Sequence, residues 1–282
     1  VAEVFFCISD RPENWKHEIM GNLGTINFLL SLAEIGNIKT QQYITITIRN
    51  FLNQNLWPLS PIVEESGLIH SIISLADKSQ DRLTLIYLAE SLSFISKKMP
   101  ETLANSDILK TLKSLTNTED KYIRRRISKI LLNFSYENLH VFCLDLEPAI
   151  IPFLITLSKS YDATQIICRN LDDEATQNNV SEAFYNYSRR ENNLLPEKMG
   201  NRMTIQALLS LAESSDSAVR LNVAASLFHL SSRSENLEPD VMGTSDMVQC
   251  VVSLCIKGDH LVFIPLVSVL EKLSSLPENR VA

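Results

Sequence analysis

The chain has 282 residues, a net charge of −7 and a hydrophobic content of 45%. The negative charge argues against a general nucleic-acid-binding protein, whose surface is usually strongly basic. Only seven residues are glycine, few for an α/β enzyme that needs glycine in tight turns and close to its ligands. We therefore expect long helices with short connections, and we expect no nucleic acid as a partner.

The cysteines bear on the cellular compartment. Five cysteines are scattered along the chain, an odd number without a CxxC pair, which is typical of free thiols in a reducing environment. No apolar run approaches the roughly 20 residues of a membrane span. We expect the cytoplasm, with the nucleus as the alternative, and no transmembrane segment.

One helix pattern recurs along the chain. In chain order, the strings FLLSL, SIISL, TLKSL, FLITL, ALLSL and CVVSL end at Leu32, Leu75, Leu115, Leu157, Leu211 and Leu254. A further helix follows each string and ends, after a nearly constant interval in five of the six cases, near Phe51, Ile95, Phe134, Tyr187, Leu230 and Leu273. A period of roughly 43 residues predicts an all-helical solenoid, in which each repeat buries its apolar face against the next.

The repeat resembles the armadillo family over essentially the whole chain. The residues that carry the resemblance are the Leu-Leu-Ser-Leu ends, the helix VRLNVAASLFHLSS with Ala224 and Ala225 at its centre, and the exit SSRSEN followed by Gly243. The resemblance implies an all-α, right-handed superhelix of about six repeats. Each repeat would have three helices, and the third helices would line a concave groove.

We interpret residues 1–282 as a single array. Residues 1–14 would end a preceding repeat, and 277–282 would begin a following repeat or form a tail. The repeats between them would span about 15–55, 56–97, 98–136, 137–189, 190–232 and 233–276. The fourth has an insertion near 161–174, either a surface loop or a partner contact. We therefore expect a segment of a longer armadillo scaffold, or an array whose ends a partner caps.

Enzyme signatures are missing from the sequence. There is no glycine-rich phosphate loop and no G-x-S-x-G motif. The five histidines do not cluster, and His229 and Ser231 are two apart on a helix, so they face different directions. We expect a non-enzymatic protein with no catalytic residue, metal or cofactor.

The resemblance also implies where a peptide would bind. In armadillo proteins an asparagine near the end of the third helix binds an extended peptide backbone, because an amide both donates and accepts. The matching positions here are Asn50, Phe94, Asn133, Asn186, His229 and Lys272. One turn earlier, where the family's peptide-import receptors carry tryptophan, this chain has Ile46, Glu90, Lys129, Glu182, Ala225 and Ser268. The lack of tryptophan argues against binding of lysine-rich nuclear-import signals.

A basic line runs along the third helix of the third repeat. KYIRRRISKILLNFS places Arg125, Lys129 and Asn133 four residues apart, on one helix face. This line is either a solvated stripe, whose cations could pair with Glu90 and Glu182, or the floor of a groove for an acidic peptide. A positive patch on an acidic protein is the better candidate for a site. The predicted groove residues are Asn50, Arg125, Lys129, Asn133, Asn186, Arg190, His229 and Lys272.

Two functions fit these observations. The first is a protein-protein interaction scaffold or adaptor that binds a partner segment, acidic or extended, in the concave groove. The second is a chaperone-type regulator or exchange factor that clasps a folded partner domain. The sequence does not identify the partner or the oligomeric state.

Overall fold

The computed structural model describes residues 1–15, 20–54, 63–103, 105–118, 120–136, 147–159, 171–189, 199–233, 236–237, 241–257 and 260–275. Within these ranges the regular structure is helical and contains no strand, which confirms the predicted all-α class. None of the described helices combines the length and the apolar character that crossing a bilayer requires. The chain divides into two compact units, unit 1 (Val1–Phe134) and unit 2 (Ser135–Ala282).

Unit 1 contains both helix types that the repeat predicts. In chain order it has α1 (Ala2–Ser9), a 3₁₀ turn (Pro12–Trp15), α2 (Leu23–Ile35), α3 (Ile38–Asn53), α4 (Leu68–Lys78), α5 (Arg82–Lys98), the one-turn α6 (Pro100–Leu103), α7 (Ser106–Thr116) and α8 (Lys121–Phe134). The second helices are α2, α4 and α7, and the third helices are α3, α5 and α8. The first helix, α1, packs beside α3 as a third helix would.

Unit 2 continues the same alternation. It has α9 (Glu147–Lys159), α10 (Leu171–Ser188), α11 (Arg202–Ala212), α12 (Ser217–Ser231), α13 (Ser245–Lys257) and α14 (His260–Ser274). The second helices are α9, α11 and α13, and the third helices are α10, α12 and α14. Most of the insertion predicted near 161–174 lies outside the described residues, and the third helix that follows it begins at Leu171. The boundaries of the individual repeats stay a prediction.

Within each unit the helices form two rows. In unit 1 the second helices contact one another in the order α2, α4, α7, and the third helices in the order α1, α3, α5, α8. In unit 2 the rows are α9, α11, α13 and α10, α12, α14. Each third helix, from α3 onward, also contacts the second helix of its own repeat. Each unit is therefore a stack in which helices pack on sequence neighbours.

The residues that mark the repeat form the core. At the ends of the third helices, Phe51, Ile95, Phe134, Tyr187, Leu230 and Leu273 are each at most 2% exposed. The marker leucines of the second helices are also buried, except Leu32, which is half-buried. Burying one such side chain contributes about 1.5–3 kcal/mol. The sequence period is thus the period of the hydrophobic core.

Polar residues define where the helices begin. An Asn or Asp precedes six of the helices, and its side chain accepts a hydrogen bond from a backbone N–H of the first turn; these helices are α2, α3, α5, α7, α11 and α12. Such an N–H group has no carbonyl partner within its own helix. Asp81 accepts from the Thr84 N–H at 2.8 Å and from Gln42 Nε2 of α3 at 3.0 Å. Burial opposes ionisation of Asp81, but hydrogen bonds from Thr84, Gln42 and the Leu83 N–H hold its pKa below the usual value. This cap therefore also joins two consecutive third helices.

The Glu-Asn exit motif closes the opposite end of the third helix. Asn14 Nδ2 donates to the Ile8 carbonyl at 2.7 Å, and Asn236 Nδ2 donates to the Leu230 carbonyl at 3.0 Å. These carbonyls lie in the last turns of α1 and α12, where helical partners run out. Gly200 lies so close to Asn236 that an added Cβ would be 1.7 Å from its Oδ1. Only glycine fits against this asparagine.

The two central alanines of α12 have different surroundings. Ala224 is fully buried, whereas its neighbour Ala225 is half-buried. Ala224 therefore lies on the packed side of α12, and Ala225 lies at the edge of its open side. A small residue is needed only at the first of the two positions.

We predict that Gly200→Ala lowers the free energy of unfolding by about 1–3 kcal/mol, because its Cβ would overlap the Asn236 amide. Chemical denaturation measures this loss. In an Asn236→Ala background the same substitution should cost markedly less. Equal costs in the two backgrounds would contradict the assigned contact.

We predict that Ala224→Trp destabilises the chain by roughly 1–3 kcal/mol or more, because it overpacks a buried position. Ala225→Trp should cost less, since Ala225 is half-exposed. Urea unfolding of both variants provides the measurement. Equal losses would show that the two alanines do not differ as described.

Candidate functional site

The third helices have one side that their neighbours do not bury. On α8, Ile123, Ile127 and Ile130 are buried, while Arg125 and Lys129 on the other side are exposed and half-exposed. We call the matching residues of each unit its open face. The unit 1 open face comprises Tyr43, Ile46, Arg49, Tyr87, Glu90, Phe94, Arg125, Arg126 and Lys129, and the unit 2 open face comprises Glu182, Tyr185, Arg189, Ala225, Phe228, His229, Ser268 and Lys272.

A chain of charges crosses the unit 1 open face. Glu90 on α5 forms an ion pair with Arg49 of α3, with Nε 3.2 Å from the carboxylate, and accepts a hydrogen bond from Arg126 Nη2 of α8 at 2.6 Å. Arg49 also lies over the Tyr87 ring, 5.6 Å from its centroid. One carboxylate is thus shared by two guanidinium groups on different helices. A positive charge remains after this pairing.

Two of the predicted site residues add to this positive surface. Arg125 and Lys129 lie one turn apart on the open side of α8, next to Arg126. Arg49 and Arg126 bind the Glu90 carboxylate that sequence reasoning considered as a partner for Arg125 and Lys129. The other such acid, Glu182 in unit 2, accepts the Tyr136 hydroxyl at 3.1 Å. Sequence reasoning missed Arg49 and Arg126, although RRR at 124–126 was a visible signal.

The three predicted asparagines are buried instead of open. Asn50, Asn133 and Asn186 are 4%, 6% and 4% exposed. Their Nδ2 groups donate to buried serine hydroxyls: Asn50 to Ser9 at 2.9 Å, Asn133 to Ser96 at 2.8 Å and Asn186 to Ser135 at 3.0 Å. We call these three contacts the Asn–Ser pairs. Their amides hold parts of the chain together, and their predicted contact with a peptide backbone stays a prediction.

Both ends of the Asn50 amide have hydrogen-bond partners. Its Nδ2 also donates to Asp10 Oδ1 at 2.6 Å, and its Oδ1 accepts Arg49 Nη1 at 2.9 Å. A partner backbone would have to compete with these contacts. The serine partners were missed, but a signal existed, because a serine recurs two residues after the asparagine position in most repeats. Where Phe94 replaces asparagine, the residue matching the serine in the previous repeat is Leu52, which is buried.

On the unit 2 open face, cations and aromatic rings alternate. Arg189 lies over the Tyr185 ring at 5.2 Å, and the Tyr185 and His229 ring centroids are 5.9 Å apart. Lys272 on α14 lies over the Phe228 ring at 5.1 Å. The structure therefore brings the predicted residues His229 and Lys272 to one surface. The predicted Arg190 lies outside the described residues.

Two observations concern other chemistry. In the part of the chain that the structure describes, no three His, Cys, Asp or Glu side chains are grouped so that they could hold a metal ion. Burial, and then the charge of Glu213, raises the pKa of the Cys250 thiol to about 12. This thiol stays protonated at neutral pH and is a poor nucleophile.

We predict that Asn133→Ala lowers the free energy of unfolding by about 1 kcal/mol, because the buried Asn–Ser hydrogen bond is lost. Urea denaturation measures the change, and the exposed Asn53→Ala, in the same unit, is the matched control. A double-mutant cycle with Ser96→Ala should reveal coupling of about 0.5 kcal/mol or more. If the free energy of unfolding of Asn133→Ala equals that of the wild type, the Asn133 amide does not stabilise the fold.

Comparison with known proteins yields matches only among solved structures. The sequence matches no protein-family model, and no curated protein matches it. A designed armadillo repeat protein, YIII(Dq)4CqI, superimposes with a TM-score of 0.63 at 12% identity, covering 88% of this chain and 99% of its own. A second one, YIII(Dq.V1)4CPAF in complex with the peptide (KR)4, gives 0.61 at 10% identity, with coverages of 88% and 99%. An engineered protein gives 0.60 at 16% identity, with coverages of 89% and 99%. The chain therefore has the fold of an armadillo repeat protein.

Proposed function

We propose that this chain is a non-enzymatic protein-protein interaction scaffold that binds an extended, acidic segment of a partner on the open faces of its third helices. The fold supports a binding role, because the structure of a designed protein of the same fold is a complex with a peptide. That peptide, (KR)4, is basic. The charge on the open face of this chain argues for a ligand of opposite sign.

The observation that carries the proposal is the positive surface of unit 1. Arg49 and Arg126 share Glu90, and Arg125 and Lys129 lie beside them. This surface belongs to a chain with a net charge of −7. A local patch that opposes the overall charge attracts an acidic ligand and repels basic ones, which gives both speed and selectivity of association.

The spacing of the helices supports an extended ligand. Packed helices lie roughly 8–10 Å apart, and an extended chain advances about 3.3 Å per residue. About three residues of a bound segment would therefore span the distance between consecutive third helices. An acidic residue at every third position would meet the cations of successive repeats.

The described thiols bear on location. Cys7, Cys250 and Cys255 are free, as is usual for proteins in a reducing compartment. They support a scaffold that works in the cytoplasm, with the nucleus as the alternative.

We predict that Arg125→Glu with Lys129→Glu weakens binding of a fluorescein-labelled (Glu-Gly-Ser)4 peptide about tenfold or more, because two attractive charges become repulsive. Fluorescence anisotropy measures the affinity. The melting temperature should change little, since substitutions of exposed charges usually cost within about 0.5 kcal/mol. Binding to the wild type should also weaken with salt, because charges are screened over about 10 Å at 0.1 M.

The matched control is Lys110→Glu with Lys113→Glu, which makes the same charge change on the exposed side of α7, a second helix of the same unit. It should bind the peptide with nearly wild-type affinity, and (Lys-Gly-Ser)4 should bind neither protein. Equal affinity of the double reversal and the wild type would exclude this open face as the site. It would favour the alternative, a regulator that clasps a folded partner domain.

A further inference from the structure

The alternating rings and cations of unit 2 form a continuous cluster. The unit 2 cluster consists of Tyr185 from α10, Arg189 directly after α10, Phe228 and His229 from α12, and Lys272 from α14. Ring and cation contacts of 5.1 to 5.9 Å link its members across three consecutive third helices. Lys272 Nζ also donates to Ser232 Oγ at 2.8 Å. Both described contacts of this ammonium group are therefore with uncharged groups.

His229 is at the centre of the cluster, and its environment is positive. The ring is half-buried. Its pKa lies below the usual value, first because of burial and then because of the charges of Arg189, Arg233 and Lys272. The imidazole is therefore neutral at pH 7, although cations surround it.

Acidic side chains on the helices around His229 either pair with other residues or lie exposed at the surface. Glu182 on α10 accepts the Tyr136 hydroxyl, and Glu271 on α14 is exposed beside Lys272. On the second helix α11, Glu213 follows the last turn and pairs with Lys257 at 2.8 Å. The charges that help to lower the pKa of His229 are those of Arg189, Arg233 and Lys272. A ligand that supplies a negative charge would relieve this imbalance.

We infer that the unit 2 cluster is a subsite for one anionic side chain of a peptide that is bound to the unit 2 open face. The anionic side chain is a carboxylate or a phosphorylated serine. The inference rests on the proposed function and adds the chemistry of one ligand residue. Lys272 and Arg189 would attract the anion, and the faces of Tyr185 and Phe228 would pack against the methylene groups of its side chain.

The subsite makes binding depend on pH with a definite sign. An anion beside the imidazole favours the charged form of His229, so the pKa of His229 is higher in the complex than in the free protein. Binding then takes up a proton, and the affinity rises as the pH falls from 7.5 to 5.5. A glutamate ligand stays ionised across this range because its ordinary pKa is about 4.3. A phosphoserine loses charge near pH 6, so the carboxylate peptide is the suitable probe of pH.

The experiment measures anisotropy of the labelled (Glu-Gly-Ser)4 peptide with the full chain at pH 7.5 and 5.5. The wild type should bind at least about threefold more tightly at pH 5.5. His229→Gln should remove this difference, whereas the exposed His260→Gln on α14 should keep it. Lys272→Gln should weaken binding about threefold or more at pH 7.5. The exposed Arg202→Gln on α11, which removes one positive charge from a second helix, should not.

A second readout follows the histidine itself. NMR titration of the His229 ring should show a higher pKa with saturating peptide than without it. A phosphoserine peptide of the same length, compared at pH 7.5, separates the two sources of the anion. Tighter binding than the glutamate peptide assigns the subsite to phosphate, and weaker binding assigns it to carboxylate.

The outcomes separate the subsite from the general function. Peptide binding that weakens with Arg125→Glu and Lys129→Glu, but does not depend on His229 or Lys272, would overturn the subsite and leave the scaffold function intact. An unchanged pKa of His229 in the complex would also overturn the subsite. Failure of the wild type to bind any of these peptides would overturn both proposals.

Discussion

Hydrogen bonds from buried amides to buried hydroxyls are the contacts on which the arrangement of the third helices depends. A single such bond contributes only about 1 kcal/mol, but leaving a buried polar group without its partner costs about 1–3 kcal/mol. Asn133 can reach Ser96 in only one register, because a shift by one residue would rotate the amide away by about 100°. The Asn–Ser pairs therefore fix the rotation of a helix about its axis and its position along that axis, which hydrophobic contacts alone would not fix.

Fixed register has a consequence for the surface. Where an Asn–Ser pair holds two third helices in the same phase, as Asn133 and Ser96 do for α8 and α5, the residues on their open sides align. Glu90 can then lie between Arg49 and Arg126, which come from the helices on either side. In unit 2, His229 likewise lies between the Tyr185 ring and the helix that carries Lys272, although none of the three Asn–Ser pairs joins these helices. Between α5 and α8, a buried polar contact thus helps to determine which charges meet on the open face.

Much of the fold could be read from the sequence, because the period of buried residues is the period of the core. Phe134 and Leu230 end their helices at matching positions and are both fully buried. Whether a polar side chain is buried or open to solvent could not be predicted from the sequence period. Alignment places Asn133 near the helix end, but whether its amide meets a ligand or Ser96 depends on how closely the neighbouring helix approaches.

From the sequence, Arg125 and Lys129 on α8 were chosen as candidate site residues, but Arg126 and Arg49 on the same open face were not. Arg125 and Arg126 are separated by only about 100° around the helix, so both flank the open side of α8. Which cation pairs with Glu90 depends on the adjacent helix α5, and the structure shows Arg126 in that ion pair. Ion pairs between repeats some 40 residues apart leave no local pattern in the chain.

Asn50, Asn133 and Asn186 each donate to a serine of the preceding repeat. At the matching positions the second repeat has Phe94 and the repeat before it has Leu52, and this difference restricts the order in which repeats can follow one another. At the three junctions with an Asn–Ser pair, the serine of one repeat presents a hydroxyl to the next repeat, and the asparagine donates to it. A repeat that ends in Leu52 presents an apolar side chain, against which an amide would be buried without a partner. Duplication or deletion of one repeat would therefore be tolerated only where the new neighbouring repeats again place a polar side chain against a polar one, or an apolar side chain against an apolar one. The side chains at these positions therefore limit which repeats can be neighbours in the stack.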